Sequence, residues 1–358
     1  MKEIHFHLIK RVSIVEKYNF YEYLSVMIEG GVTLSEALVS VQSKLKNHFF
    51  KEKVKELYTY VASWDSFTKS MKKIPVIFWP SEIAIIESWE AIGRLSQSFS
   101  NLSDSLRKTH DLQLKIKWAL AYPLIIFVFL IIAVIIVLTY VIPSISVLFE
   151  STQVALPLAT QALIATSEFF IHKWYILLFF TFTLWVLFFW YKNTESWKLN
   201  IDNFLLTLPL FWKVYKNYLL AGFSRTLWTL VSSGVSIVKS LSLSSKWLGN
   251  LVYEGHINTV IQKVSQGQKI VESMQEVDPE NQLFPLDFLQ MLSVWEKTAS
   301  LEMVTKKLAI QYTREVDYSL TNLTKWIEPI AILIAGSFVL WFAFAIFWAI
   351  LKVTETVN

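Results

Sequence analysis

Residues 118–142 read WALAYPLIIFVFLIIAVIIVLTYVI, twenty-five positions without one charged side chain. A helix rises about 1.5 Å per residue and bilayer hydrocarbon is about 30 Å thick, so about 20 such residues cross it. A run of this length and composition reads as a membrane span rather than as a buried helix of a soluble core. Two more runs follow. Residues 174–191, WYILLFFTFTLWVLFFWY, carry aromatics at both ends, where membrane interfaces favour them, and residues 329–351, PIAILIAGSFVLWFAFAIFWAIL, form the third. The chain as a whole is 54% hydrophobic and only 17% charged. Soluble domains carry about 25% charged residues.

Orientation follows from Lys and Arg near the spans. Arg107, Lys108, Lys115 and Lys117 precede the first, Lys192 and Lys198 follow the second, and Lys325 precedes the third. Residues 143–172 contain no Lys or Arg, and Lys173 at the span edge can snorkel outward. The amino terminus, MKEIHFHLIKRVSIVEK, lacks an apolar core of signal-peptide length. The expectation is a multi-pass protein of the cell membrane with a cytoplasmic N-terminus and an external C-terminus. Its expected segments are 1–117 (first cytoplasmic helical domain), 118–142 (first span), 143–173 (external connector), 174–191 (second span), 192–328 (second cytoplasmic domain, a repeat of the first), 329–351 (third span) and 352–358 (short external tail).

The polar regions repeat each other. Residues 29–38 read EGGVTLSEAL and residues 232–241 read SSGVSIVKSL. At an offset of 203, Phe20, Leu24, Gly31, Val32 and Leu38 answer to Phe223, Leu227, Gly234, Val235 and Leu241, and Ser70-Met71 to Ser273-Met274. Beyond DPENQLFP the offset becomes 206, pairing Trp89-Glu90, Leu95, Leu102, Asp111, Leu114 and Pro123 with Trp295-Glu296, Leu301, Leu308, Asp317, Leu320 and Pro329. Both copies end on a proline at the mouth of a span. The fold expected from the residues is an all-α membrane protein with two homologous cytoplasmic helical-bundle domains and three transmembrane helices.

Within each copy the periodicity is helical: Phe20, Leu24, Met27 and Ile28 form one stripe. Gly30-Gly31 stops that helix, because glycine accepts the left-handed conformation of a helix end. Thr33 or Ser35 then caps the next, and Gly234 with Ser236 is expected to do the same in the second copy. The repeated motif is a helix–turn–helix corner. It lacks the additional glycines and preceding strand of a phosphate-cradling loop.

The chain resembles the type II secretion F and type IV pilus C family of inner-membrane platform proteins over residues 18–351. The connector VIPSISVLFESTQVALPLATQAL places Pro143, Phe149, Leu156-Pro157 and Thr160 at the family's spacing, followed by Trp174. The family's cytoplasmic signature is approximately Gly-Glu, two residues, Gly, one residue, Leu. WEAIGRL keeps Glu90, Gly93 and Leu95, with Trp89 in the first glycine position. WEKTASL keeps Glu296 and Leu301, with Trp295 and Ala299 in the glycine positions. The resemblance implies a homo-oligomer, dimer or trimer, seated in the lipid bilayer. It further implies contact with a hexameric cytoplasmic assembly ATPase, with pilin or pseudopilin subunits and with other inner-membrane assembly proteins.

No chemistry competes with that reading. Cysteine is absent, which excludes disulfides and thiolate metal sites. No two histidines stand at i, i+4, and His5 and His7 read as terminal residues rather than ligands. No GxxxxGK[ST] loop is present, so no nucleotide cofactor is expected, and a net charge of +4 is too small to argue for nucleic acid. Glu90 and Glu296, equivalent positions in separate domains, read as interhelical hydrogen-bonding groups rather than a catalytic pair. Glu328 sits at the entrance of the third span. Pro123 and Pro329 would each remove a helix hydrogen bond and bend the chain there. Core packing is expected for Trp64, Trp79, Trp89, Trp247 and Trp295. The rival class is a small transporter or channel built on an internal repeat. It is disfavoured because the duplicated mass is cytoplasmic and the spans carry no charge at their centres.

Overall fold

In a computed structural model the described residues are 12–144, 158–191, 195–208, 211–298 and 301–357, and among them there is no strand. Pro157, Phe149, Ala299, His5 and His7 lie outside the described residues. The first repeat comprises α1 (Ile14–Glu29), α2 (Leu34–Lys44), α3 (His48–Ala62), α4 (Phe67–Lys72), α5 (Pro80–Glu90) and the start of α6 (Leu95–Ile136). After α7 (Leu158–His172), α8 (Trp174–Tyr191) and α9 (Glu195–Thr207) comes the second. It comprises α10 (Trp212–Ser232), α11 (Ile237–Leu248), α12 (Leu251–Ser265), α13 (Ile270–Val277), α14 (Leu286–Thr298) and α15 (Leu301–Val357). Offsets of 203 and then 206 carry the start of each helix from α2 to α6 onto the start of its counterpart.

The same local chemistry starts these helices. Ser13 and Thr33 each form a capping box with the glutamate three residues on, Glu16 and Glu36. Asn47 and Asn250, equivalent positions, each accept from the amide three residues ahead, at 3.1 and 3.0 Å. Ser236 occupies the N-cap position of α11, but its side chain makes no cap hydrogen bond, so the expected duty of that serine is not performed.

Two compact units result, Met1–Lys115 with Ile201–Tyr318, and Ile116–Asn200 with Ser319–Asn358. In the first, equivalent residues fill equivalent core positions. Phe20, Leu24, Leu38, Phe50, Val54, Leu57 and Met71 are buried, and so are Phe223, Leu227, Leu241, Tyr253, Ile257, Val260 and Met274. The repeats also share core: Leu230 and Val235 of the second belong to the apolar cluster of the first.

The second unit holds the apolar runs. The helix beginning at Leu95 continues to Ser144, and α15 stays long and apolar to Trp348; each is long enough to cross a membrane. Both run through their prolines, Pro123 and Pro329, without interruption. α8, at about 27 Å, approaches hydrocarbon thickness by itself. It meets α7 at a 69° bend. The connector thus contains a helix. Thr160 of α7 donates to the Ala345 carbonyl at 2.7 Å, Ser167 donates to the Leu138 carbonyl, and Leu163 packs with Leu138, Ile142 and Ala345. Hydroxyl-to-carbonyl bonds and a small apolar cluster thus join α7 to the end of the first long helix and to α15. Pro143 has a local consequence: it cannot donate, and the turn before it widens into a π-helix, Val137–Val141.

Candidate interaction surfaces

The helix corner is built twice with the same bonds. Gly31 has φ +84° and Gly234 φ +81°. The Gly31 and Val32 amides donate to Ile28 and Met27, both at 3.0 Å, and the Gly234 and Val235 amides donate to Val231 and Leu230, at 2.9 and 3.1 Å. This is a Schellman end, which needs a left-handed residue at the glycine. Both glycines are therefore structural.

Glu90 and Glu296 also do equivalent work. The Glu90 carboxylate accepts from the Phe67 and Thr68 amides at 2.6 and 3.0 Å, at the start of α4. Glu296 accepts from Val271 at 3.2 Å, at the start of α13. Each carboxylate satisfies orphan donors at the positive end of a short helix. Each thus caps a helix of its own repeat.

The two bundles differ where charge is buried. Lys17 Nζ lies 2.8 Å from Glu82, with both residues under 4% exposed, and Tyr21 donates to the same carboxylate at 3.1 Å. Burial, with the Glu82 charge beside it, pushes the Tyr21 pKa well above its ordinary value. Lys17 also sits 4.1 Å from the Trp79 ring. The corresponding positions of the second repeat are Leu220, Ser224 and Phe288, all buried.

The tryptophans divide. Trp89 packs half-buried against the first core, Trp295 is half-buried, and the Trp247 ring lies on Gly222, where an added Cβ would meet it at 2.1 Å. Trp64 and Trp79 overturn the expectation of core packing. Trp79 is exposed, and Trp64 is 98% exposed with φ +65°. At the 203 offset Trp64 stands where the second repeat has Gly267, φ +93°. Both positions close a Schellman end, in which sterics favour glycine, so the indole is displayed to solvent from a left-handed backbone. Glu328 is exposed on α15, and Pro143 is half-buried. Among the described residues no cluster of His, Asp or Glu could hold a metal.

A family model described as "Type II secretion system (T2SS), protein F" matches residues 20–143 and 223–349, one segment per repeat with its span. The chain belongs to this family. The "Type IV pilus assembly protein PilC" of Thermus thermophilus is 30% identical over 95% of the chain and 82% of its own length. The "Type IV pilus assembly protein TapC" of Aeromonas hydrophila is 27% identical over 94% of the chain and 80% of its own. The "Type II secretion system protein F" of Aeromonas hydrophila is 24% identical over 94% and 85%. The T2SSF segments begin at Phe20 and Phe223, the paired core residues of α1 and α10, so the family's repeat unit coincides with the structural one.

Proposed function

We propose that this T2SSF protein is the inner-membrane platform of a type IV pilus or related secretion machine, coupling a hexameric cytoplasmic assembly ATPase to polymerisation of pilin or pseudopilin subunits. The observation that carries the reading is a duplicated helical body whose two long helices, α6 and α15, continue into membrane-spanning runs. Such a body offers partner surfaces on a chain that also carries membrane-spanning runs. The chain has no GxxxxGK[ST] loop of its own, and in this reading the energy for assembly comes from a partner. Relatives named for pilus assembly and for type II secretion support the same role.

In this reading both repeats, residues 1–117 and 192–328, are cytoplasmic, and the connector 143–173 and tail 352–358 are external. The protein works as a dimer or trimer beside other inner-membrane assembly proteins. Glu328 and the connector with Pro143 and Pro157 are candidate contacts. Pro123 and Pro329, at matched places in the two long helices, are candidate structural positions in the same sense.

Deleting the gene tests the role. Surface filaments, or their secretion counterpart, should disappear while pilin and ATPase levels stay normal. The purified protein should associate with the ATPase without turning over nucleotide. Normal filaments in the deletion strain, or solute movement by the protein alone in liposomes, would replace this reading with the transporter one.

A further inference from the structure

Between α6, α10 and α15 lies a groove of about 410 Å³, lined by five cationic side chains, Lys108, Lys115, Arg225, Lys306 and Arg314, and one carboxylate, Asp111. All belong to the first compact unit, Met1–Lys115 with Ile201–Tyr318. Lys115 is engaged by Asp317 at 2.9 Å. Arg225 is 6% exposed, yet among the described residues its guanidinium donates only to hydroxyls, Thr313 at 2.9 Å and Thr109 at 3.4 Å. Among the described residues no carboxylate pairs with it. A buried cation is ordinarily paired, because desolvation penalises its charge. Burial accordingly pulls the Arg225 pKa downward, with Tyr218 and Asp111 acting weakly the other way.

Trp228 lines the same groove, and its indole N–H is buried without an acceptor. The Lys108 and Lys306 ammonium groups lie 5.9 and 5.5 Å from its ring. These groups share one requirement, an anion with several acceptor oxygens. A carboxylate would compensate one cation and leave the rest. A phosphate group offers paired oxygens to the planar guanidinium and a second charge to the lysines. The volume falls within the range of small-ligand sites, about 300–1,000 Å³.

We propose that this groove binds a phosphate-bearing anion, through chemistry common to soluble phosphate esters and to acidic phospholipid headgroups. Lys108 and Lys115 come from the first repeat, Arg225, Lys306 and Arg314 from the second. Occupancy therefore ties the repeats together.

The test uses the full chain in neutral detergent. Ile310, exposed at the lip of the groove, is replaced (I310C) to give the sole cysteine and labelled with an environment-sensitive fluorophore. The protein is titrated with inorganic pyrophosphate and, separately, with short-chain phosphatidic acid, using short-chain phosphatidylcholine as the neutral reference. Saturation by pyrophosphate alone assigns a soluble ligand, and saturation by phosphatidic acid alone assigns a headgroup. Saturation by both assigns a site for the phosphate itself. In each case the exposed pair K108Q/K306Q should weaken binding by about tenfold or more, since each lost contact is charge-assisted. R225Q should weaken it further, and the lysine pair keeps the test valid if R225Q fails to fold. No saturable response beyond the neutral reference, or unchanged binding in K108Q/K306Q, would overturn the proposal.

Discussion

Lys17 and Glu82 form a buried ion pair, 2.8 Å between Nζ and Oε1, at positions where the second repeat buries Leu220 and Phe288. One fold thus carries an ionic and an apolar solution to the same site. Removing one partner of a buried pair leaves an uncompensated charge and costs about 3–5 kcal/mol, whereas apolar replacement of both is often neutral or stabilising. E82F alone should therefore destabilise strongly, and K17L/E82F should recover most of the loss. Thermal unfolding of the detergent-solubilised variants measures both. A double variant no better than the single one would show that the two repeats pack differently here.

Glu90 satisfies two amides and Glu296 one. Losing a helix cap costs about 0.5–2 kcal/mol. E90A should lower stability more than E296A, while E90Q, which keeps a carbonyl acceptor, should lose less than E90A. Equal melting temperatures for the two alanine variants would contradict the geometry.

Trp64 occupies a left-handed position that costs a non-glycine residue about 1–2 kcal/mol. W64G should leave stability unchanged or raise it, because the ring is almost wholly exposed. G267A, at the matched corner, should lower stability by about the same amount. Chemical denaturation of both variants gives the two signs.

Glu87 on α5 is contacted by Lys72 of its own repeat and, at 3.5 Å, by Lys239 of the other. The hydrogen bond from Lys72 chiefly, with the charges of Lys72 and Lys239, holds its pKa below the ordinary value of 4.5. The stability this contributes is fully present above the ordinary value and is lost as pH falls through the lowered one. E87Q should lower the melting temperature modestly at neutral pH, where that contribution is present, and flatten the acid limb below pH 4.5, where the unmodified chain loses it anyway.

Topology is testable because the chain has no cysteine. S151C should label from outside intact cells. S63C and K246C, exposed in the first and second repeats, should label only after permeabilisation. Labelling of K246C from outside would exclude the three-span arrangement.

The long features were legible in the sequence because each is carried by contiguous residues. Runs without charge gave the apolar helices, and the matched glycines gave the corners. The α7 helix was harder to read, since LATQALIATSEFFIH mixes small, polar and bulky apolar residues, and the face it buries is evident only once its partners Leu138 and Ala345 are known. Trp64 had a signal that composition hid. The 203 offset sets it against Gly267, which points to a special backbone rather than a core ring. Arg225 and its groove were invisible because the lining comes from three segments far apart in the sequence, 108–115, 225–228 and 306–314.

Leu230 and Val235 sit in the core of the first repeat. The duplicated halves are therefore no longer interchangeable parts. A first half expressed alone would leave that edge of its core open to water, and two copies of either half would not rebuild the native seam. What began as a repeat now behaves as a lock with one key, and further divergence is constrained at the seam and freer elsewhere.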